Sequence, residues 1–320
     1  MFHFLNKSLN LQLILLFMLT VWAGWTIFAQ MTILPANGTL LLFQFITIIW
    51  EWNAVIIRIA VLFLVLTMTI GIIQHFQTHH FSDNRSYMPG VFLLLLLNCG
   101  KYLHTLTPAL LTLFVMALLM MMYSPNEQAG KMRDRIFAFG LLISFATFQD
   151  ISAFGLVLFL IMMIALNNVT SFKDNLILVI GLSFPYIWAF AIAFISNGLQ
   201  AFTQVWRDLT VLAPFKQFTA MRPIEYVTLA VFAIVTILLM IRSKRLLDNK
   251  LIVIRQAFNN INMLLISMLL FLWIGIVPLP MALQYLIVPV SIYMSLSVIQ
   301  KKRCLFVDFL IITLCVLLWL

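Results

Sequence analysis

Two carboxylates interrupt long apolar stretches of this chain, where an ionised side chain is costly unless it has a partner or a task. Glu51 divides residues 40–73, and Asp150 divides residues 136–167. A carboxylate at the edge of an apolar region can accept the proton of an attacking hydroxyl group, which makes it a general base. We therefore predict Glu51 as a catalytic base, with Asp150 as its substitute.

Four basic residues could hold a phosphate group near these acids. Arg58 lies about one helical turn into an apolar stretch, Lys101 interrupts another, and Arg207 and Arg222 lie in the longest polar loop. Arg and Lys bind phosphate oxygens by charge-assisted hydrogen bonds, which also stabilise the charge of a leaving phosphate. The competing interpretation is that Arg58 snorkels to the membrane interface or pairs with Glu51, and that the loop cations are simply solvated.

Metal and nucleotide chemistry are not indicated. His75 and His79 form an i, i+4 pair next to His80, but no third ligand follows at a metal-site spacing, so we predict solvated histidines and no metal. No glycine-rich phosphate loop is present, which argues against nucleotide hydrolysis, and we predict no cofactor. The cysteines have no metal or disulfide spacing and are interpreted as packing residues: Cys99, Cys304 and Cys315.

The composition excludes a water-soluble protein. Hydrophobic residues make up 64% of the 320 residues, charged residues make up 9%, and the mean hydropathy is +1.10. A soluble domain has about 25% charged residues, so these side chains are too few to coat one. The net charge of +9 would suggest nucleic acid in a soluble protein, but in a membrane protein it reflects basic cytoplasmic loops. We predict one all-α, polytopic transmembrane domain over residues 1–320, with the lipid bilayer as its partner and no nucleic acid.

A membrane span needs about 20 apolar residues. The apolar pattern predicts about eleven spans, at residues 11–29, 54–73, 88–100, 108–123, 136–149, 151–167, 176–196, 224–241, 261–277, 281–299 and 304–320. The part of residues 40–53 before Glu51 is too short to cross and has a polar stripe, which predicts an interfacial helix in the first outer loop. The stretches 88–123 and 136–167 each fit either two short spans or a re-entrant hairpin.

Charge predicts the orientation. With the N-terminus in the cytoplasm, most of the 19 Lys and Arg residues face inward, as the positive-inside tendency requires. The segment 242–260, in which basic and apolar residues alternate, is interpreted as an amphipathic helix on the inner leaflet. The basic residues that remain outside are Arg58, Lys101, Arg207, Lys216 and Arg222. This outward minority is the reason to expect an anionic ligand there.

The same orientation puts all eight tryptophans in the outward half. This distribution fits an aromatic belt at the outer interface or an aromatic groove for a ligand. Under the second interpretation, the residues expected to contact a substrate are Trp52, His104, Trp206 and Asp208.

The chain resembles two groups of membrane proteins. The run Arg135-Ile136-Phe137-x-x-Gly140-x-x-Ile143-x-x-Ala146, followed by Gly181-x-x-x-Pro185-Tyr186, resembles an uncharacterised family of polytopic inner-membrane proteins from Bacteroidota. That resemblance implies an inner-membrane location and no particular activity. In architecture the chain is similar to GT-C type integral-membrane glycosyltransferases and sugar-polymer polymerases, whose first outer loop carries interfacial helices and a catalytic acid. Here Glu51 matches that acid, although no Asp and no paired acids are present in that loop.

Three hypotheses on function remain. The GT-C resemblance implies a transferase that uses a polyprenyl-phosphate-linked sugar at the outer face for assembly of an envelope glycan. The alternatives are a transporter or flippase for a small or lipidic anion, and a non-catalytic scaffold or assembly subunit with a membrane-protein partner. A transferase needs an acid close to the arginines, a transporter needs the same arginines and charged or broken helices at mid-membrane, and a scaffold needs neither.

Overall fold

The computed structural model describes residues 8–33, 53–82, 85–122, 129–149, 153–166, 172–195, 223–248, 250–273, 279–299 and 305–319. In these ranges the chain forms eleven α-helices: α1 (Leu9–Gln30), α2 (Ala54–Thr78), α3 (Met88–Cys99), α4 (Pro108–Met122), α5 (Ala129–Gln149), α6 (Phe154–Leu166), α7 (Phe172–Ile195), α8 (Pro223–Leu247), α9 (Ile252–Trp273), α10 (Leu279–Val298) and α11 (Leu305–Trp319). Two short strands, β1 (Thr32–Ile33) and β2 (Thr105–Leu106), pair in parallel. The all-helical prediction is therefore confirmed.

Four of these helical segments are long and apolar enough to cross a membrane by length and composition: Leu9–Gln30, Ala54–Thr78, Lys173–Ala191 and Ile252–Leu270. They expose large apolar side chains on their outer faces; Phe17 is 69% exposed and Phe63 is 70% exposed. An apolar face of this kind is unfavourable in water and suits contact with lipid. The chain is thus a membrane protein.

Local capping explains where two of the long helices begin. The Ser8 hydroxyl accepts a hydrogen bond from Leu11 N at 3.3 Å, and the Asn53 side chain accepts one from Val55 N at 3.1 Å. Ser and Asn are favoured at these positions because their oxygens satisfy backbone N–H groups in the first turn. Helix α2 therefore begins at Ala54, as predicted.

Helices α1 and α3 define the two ends of the bundle. At one end, Thr32 N donates to His104 O at 2.8 Å, where β1 pairs with β2. At the other, Tyr87 N donates to the Gln12 side-chain oxygen at 2.8 Å. The chain from Tyr87 to His104 therefore runs nearly the full length of α1. We call the end with the strand pair the bridge end.

The opposite end carries His75, which hydrogen-bonds Met120 O at 2.6 Å and so brings the last turns of α2 and α4 together. We call it the histidine end. Arg135, near the start of α5, donates to Met122 O at 2.6 Å at the same end. Helices α2 and α4 therefore run toward the histidine end, and α5 runs away from it.

Helix α10 occupies the centre of the bundle. Every residue from Leu283 to Val298 is buried, and α10 packs against α3, α4, α8 and α9. Its polar side chains, which include Gln284 and three serines, are buried as well, and polar side chains favour the interior of a membrane bundle over contact with lipid. At its start, Gln284 accepts a hydrogen bond from Thr107 at the bridge end, so α10 also runs toward the histidine end.

Helices α5 and α7 cross at two glycines. A Cβ on Gly181 would lie 2.6 Å from Phe137 O, and a Cβ on Gly140 would lie 2.9 Å from Leu178 O. Small residues allow membrane helices to approach backbone to backbone. C-terminal to the glycine on each helix, Thr147 of α5 and Tyr186 of α7 share a hydrogen bond of 2.7 Å between their hydroxyl groups. The two helices therefore run in parallel from the histidine end.

The structure corrects several predicted boundaries. Helix α2 continues to Thr78 rather than 73, α5 begins at Ala129 rather than 136, α8 continues to Leu247, and α9 begins at Ile252. The amphipathic inner-leaflet helix predicted over 242–260 is therefore wrong, since this segment is the end of α8, a turn and the start of α9. Snorkelling basic side chains allow a helix to extend past its apolar part. The interfacial helix predicted before Glu51 lies outside the described residues.

Candidate functional site at the bridge end

Three of the ten predicted site residues fall in the described part of the chain. Arg58, Lys101 and His104 all lie at the bridge end: Arg58 is half-buried near the start of α2, and the other two lie in the turn between α3 and β2. The remaining seven lie outside the described residues: Glu51, Trp52, Asp150, Trp206, Arg207, Asp208 and Arg222.

The turn after α3 is a Schellman motif. Tyr102 N donates to Leu97 O at 3.2 Å and Lys101 N donates to Asn98 O at 3.1 Å, which is the hydrogen-bond pair that defines this helix end. The motif requires a left-handed residue after the helix cap, and that residue is usually glycine. Here it is Lys101, with φ of 55°.

Lys101 adopts this strained conformation although a glycine is its neighbour. The glycine is needed at position 100, one residue before the left-handed position, because a Cβ at residue 100 would overlap the Tyr102 ring. A side chain in the left-handed region costs about 1–2 kcal/mol. Strain of this kind is concentrated at functional sites, where a particular side chain is needed at a particular place. The Lys101 side chain is exposed, as a ligand-binding group must be.

His104 stands beside Lys101 in the same turn. Its carbonyl oxygen accepts from Thr32 N and, at 3.4 Å, from the Thr32 hydroxyl, so β1 holds the turn against the end of α1. Partial burial and the neighbouring Lys101 charge lower the pKa of His104 below its ordinary value of 6.5. The imidazole is therefore neutral at pH 7, and it can accept a proton or a hydrogen bond while Lys101 supplies the positive charge.

Two amides with unused hydrogen-bonding groups lie in and under this turn. Asn98 is 3% exposed; its Nδ2 donates to Leu94 O at 2.8 Å, and its Oδ1 is buried without a hydrogen-bond partner. Gln284 is 1% exposed; its Oε1 accepts from the Thr107 hydroxyl at 3.1 Å, and its Nε2 is likewise buried without a partner. A buried polar atom without a partner costs about 1–3 kcal/mol unless water or a ligand satisfies it.

We call the residues of this arrangement the polar cap: Asn98, Lys101, His104, Thr107 and Gln284. It offers a cation, a neutral imidazole, one amide acceptor and one amide donor at one end of the bundle. This set suits a phosphate group with neighbouring hydroxyl groups. Sequence reasoning found Lys101 and His104 but missed the other three. Gln284, a lone polar side chain in a long apolar run, was the one signal that could have found them.

A second cluster lies at the histidine end. His75 and His79 are 2% and 3% exposed, and their ring centroids are 4.4 Å apart. The prediction of solvated histidines is therefore wrong for these two, although His80 is exposed. Because Met120 O can only accept, His75 Nδ1 carries the proton, and its Nε2 is a buried acceptor without a partner. In the described residues no group of three or more His, Cys, Asp or Glu side chains could hold a metal ion.

A third cluster joins α8, α9 and α10 toward the histidine end. The Tyr293 hydroxyl donates to Asn262 at 2.7 Å, and the Ser243 hydroxyl donates to Tyr293 O at 3.4 Å. Asn260 Nδ2 and Ser297 Oγ are buried in these helices without hydrogen-bond partners. Polar atoms that could bind water or a ligand therefore lie near both ends of α10.

Comparison with known proteins adds no assignment to this geometry. No protein family, no curated protein and no solved structure matches the chain.

Proposed function

We propose that this chain is a multi-pass inner-membrane protein with its N-terminus in the cytoplasm and its bridge end facing outward. The charge distribution of the described helices supports this orientation. The bridge end carries Arg58 and Lys101, and the histidine end carries Arg85, Lys131, Arg133, Arg135, Lys173, Arg242, Lys244, Arg245, Lys250 and Arg255. Cytoplasmic loops of membrane proteins carry an excess of Lys and Arg, so this excess supports a cytoplasmic histidine end.

The polar cap, in this proposal, binds the phosphate of a polyprenyl-phosphate-linked sugar during assembly of an envelope glycan. The observation that carries the proposal is Lys101, a cation held in a left-handed position that glycine normally fills, next to a neutral His104. Lys101 binds the phosphate, and His104 accepts a hydrogen bond from a sugar or acceptor hydroxyl. Asn98 supplies the remaining acceptor and Gln284 the remaining donor.

Transfer of the sugar requires a base, and Glu51 and Asp150 remain the predicted acids for that step. The chain would then release polyprenyl phosphate or diphosphate from the lipid-linked sugar, with Arg58, Arg207 and Arg222 stabilising the leaving group. Replacing Glu51 with Gln tests this role directly. Loss of product release with retained phosphate binding supports a transferase, whereas unchanged release eliminates Glu51 as the base.

The binding step is tested with polyprenyl phosphate in lipid nanodiscs containing the purified protein. Polyprenol without the phosphate serves as the control ligand, and Lys250→Gln, at the other end of the bundle, is the matched control variant. We expect Lys101→Gln to weaken binding of the phosphate lipid about 10-fold or more, since a charged hydrogen bond contributes about 1.5–3 kcal/mol. Equal binding of both lipids, or equal loss in both variants, would refute the proposal.

A specific observation favours transport as a second candidate function. Helix α10 has buried polar atoms without partners toward both ends, Gln284 Nε2 and Ser297 Oγ, and Pro289 between them. A proline inside a helix removes one backbone hydrogen bond and can kink the helix, and many transporters have kinked or broken helices at their binding sites. Protein-dependent movement of a fluorescent polyprenyl phosphate across liposomes, without cleavage of its sugar, would favour this candidate. A requirement for a stoichiometric partner before any binding is seen would indicate an assembly subunit instead.

A further inference from the structure

Two of the three cysteines meet in the folded chain, although the sequence pattern gives no reason to pair them. Cys99 is the last residue of α3, and Cys315 lies in α11, which packs against α3. Their side chains are half-buried, and the two thiols interact directly. Cys315 packs against the apolar core, as expected of a packing residue, and it also lies against Cys99.

We propose that Cys99 and Cys315 form a disulfide bond that ties α11 to the polar cap. Two thiols that interact directly on packed helices can bond where their Cα atoms lie within about 7 Å of each other. Cys99 lies at the bridge end, immediately before Gly100 and Lys101. The proposal rests on the outward orientation of that end, because thiols oxidise and stay oxidised on the outer side of the inner membrane and are kept reduced in the cytoplasm.

The oxidant is a protein disulfide of the thiol-oxidising class found in that compartment. The thiolate of one cysteine attacks the disulfide and forms a mixed disulfide, and one oxidant sulfur leaves as a thiolate. The second cysteine of the chain, after losing its proton, then attacks the mixed disulfide. The products are the Cys99–Cys315 bond and the oxidant in its dithiol form. Two electrons and two protons have moved from the chain to the oxidant.

The bond has a direct consequence for the cap. Cys99 is two residues before Lys101 and one residue after Asn98, so a cross-link at this position restricts the helix end on which the Schellman motif is built. Helix α11 would then act as a brace for the turn that presents Lys101 and His104. Without the bond, the last turn of α3 can fray, and the lysine loses its fixed position.

The experiment uses the full-length chain, alkylated in intact cells with a membrane-permeant thiol reagent before lysis. Peptide mapping without reduction then shows which cysteines are linked. We expect a Cys99–Cys315 peptide that lacks two hydrogens relative to the separate peptides, and an alkylated Cys304. Cys99→Ser and Cys315→Ser should each abolish the link, and Cys304→Ser should leave it unchanged.

Recovery of Cys99 and Cys315 as alkylated thiols from cells would overturn the proposal. Oxidation of that same protein after purification, with copper phenanthroline as the probe, then separates two causes. If the link forms in the purified protein, the pair is correctly identified and the outward orientation is at fault, which also undermines the proposed function. If it does not form, the pairing itself is at fault, and the phosphate-binding proposal stands unaffected.

Discussion

Replacing Lys101 with glycine tests whether the strained turn exists for the sake of its side chain. The left-handed conformation costs a residue with a Cβ about 1–2 kcal/mol, which the glycine variant would recover. Glycine also gives the unfolded chain more conformational freedom, which lowers stability by about 0.5–1 kcal/mol and offsets part of that gain. With φ of 55° at Lys101, Lys101→Gly should therefore raise the free energy of unfolding by up to about 1 kcal/mol. In the same variant the loss of the cation should weaken polyprenyl phosphate binding about 10-fold or more.

Two assays on one purified sample measure these opposite effects. Thermal unfolding followed by tryptophan fluorescence should show a midpoint raised by up to about 2 °C, while nanodisc binding of the phosphate lipid becomes weaker. Lys101→Arg keeps both the charge and the strain, so it should bind like the parent and gain no stability. If Lys101→Gly is less stable than the parent, or binds the phosphate lipid equally well, the reasoning about this turn is wrong.

Three further predictions concern packing, the buried amide and pH. Gly181→Ala should destabilise the protein by about 1–3 kcal/mol because its Cβ would lie 2.6 Å from Phe137 O, whereas Gly24→Ala, with its nearest neighbour at 3.9 Å, should be neutral or stabilising in thermal unfolding. Asn98→Leu removes a buried oxygen without a partner, so it should keep or raise stability yet weaken binding of the phosphate lipid; a loss of both would show that Asn98 is purely structural. Burial and Lys101 lower the pKa of His104 below 6.5, so just below pH 6.5 the unfolded chain binds more protons than the folded chain. The free energy of unfolding should therefore fall as the pH drops below 6.5 in the parent, and it should fall less in His104→Gln. In NMR titrations Lys101→Gln should raise the pKa of His104, and Lys250→Gln should not.

The helices were predictable because their signals are local. Apolar runs separated by polar breaks gave eleven segments, and Asn53 marked the start of α2 through a cap that involves only its near neighbours. The ends of α8 and α9 were misjudged because a helix can continue after its apolar run ends. The exposed Arg255 lies in the first turn of α9, and the backbone of α8 stays helical past the half-buried Arg242.

The polar cap was only half predictable, because its parts come from distant places in the chain. Thr107 and Gln284 are 177 residues apart, and their hydrogen bond depends on how α10 packs into the bundle. An entirely buried helix has no amphipathic period from which that packing could be read. The left-handed Lys101 was hidden for a different reason: the sequence suggests Gly100 for that role, and only the Tyr102 ring shows why glycine is needed one position earlier.

Three unfavourable features of the bridge end support a function there, although the histidine end also carries a left-handed residue, His80, and buried polar atoms without hydrogen-bond partners. A turn selected only for stability would favour glycine at 101, where φ is 55°, and would not bury an oxygen without a hydrogen-bond partner at 98. The chain instead keeps a strained lysine at 101 and a buried oxygen without a hydrogen-bond partner at 98. Gln284 adds a third unfavourable feature, because its Nε2 is buried without a partner while its Oε1 accepts a hydrogen bond from Thr107. The tightly buried α3 and α10 supply the packing that tolerates these costs. A phosphate with attached hydroxyl groups presents acceptors for Lys101 and Gln284 and a donor for Asn98, which neither lipid tails nor a purely structural turn would do.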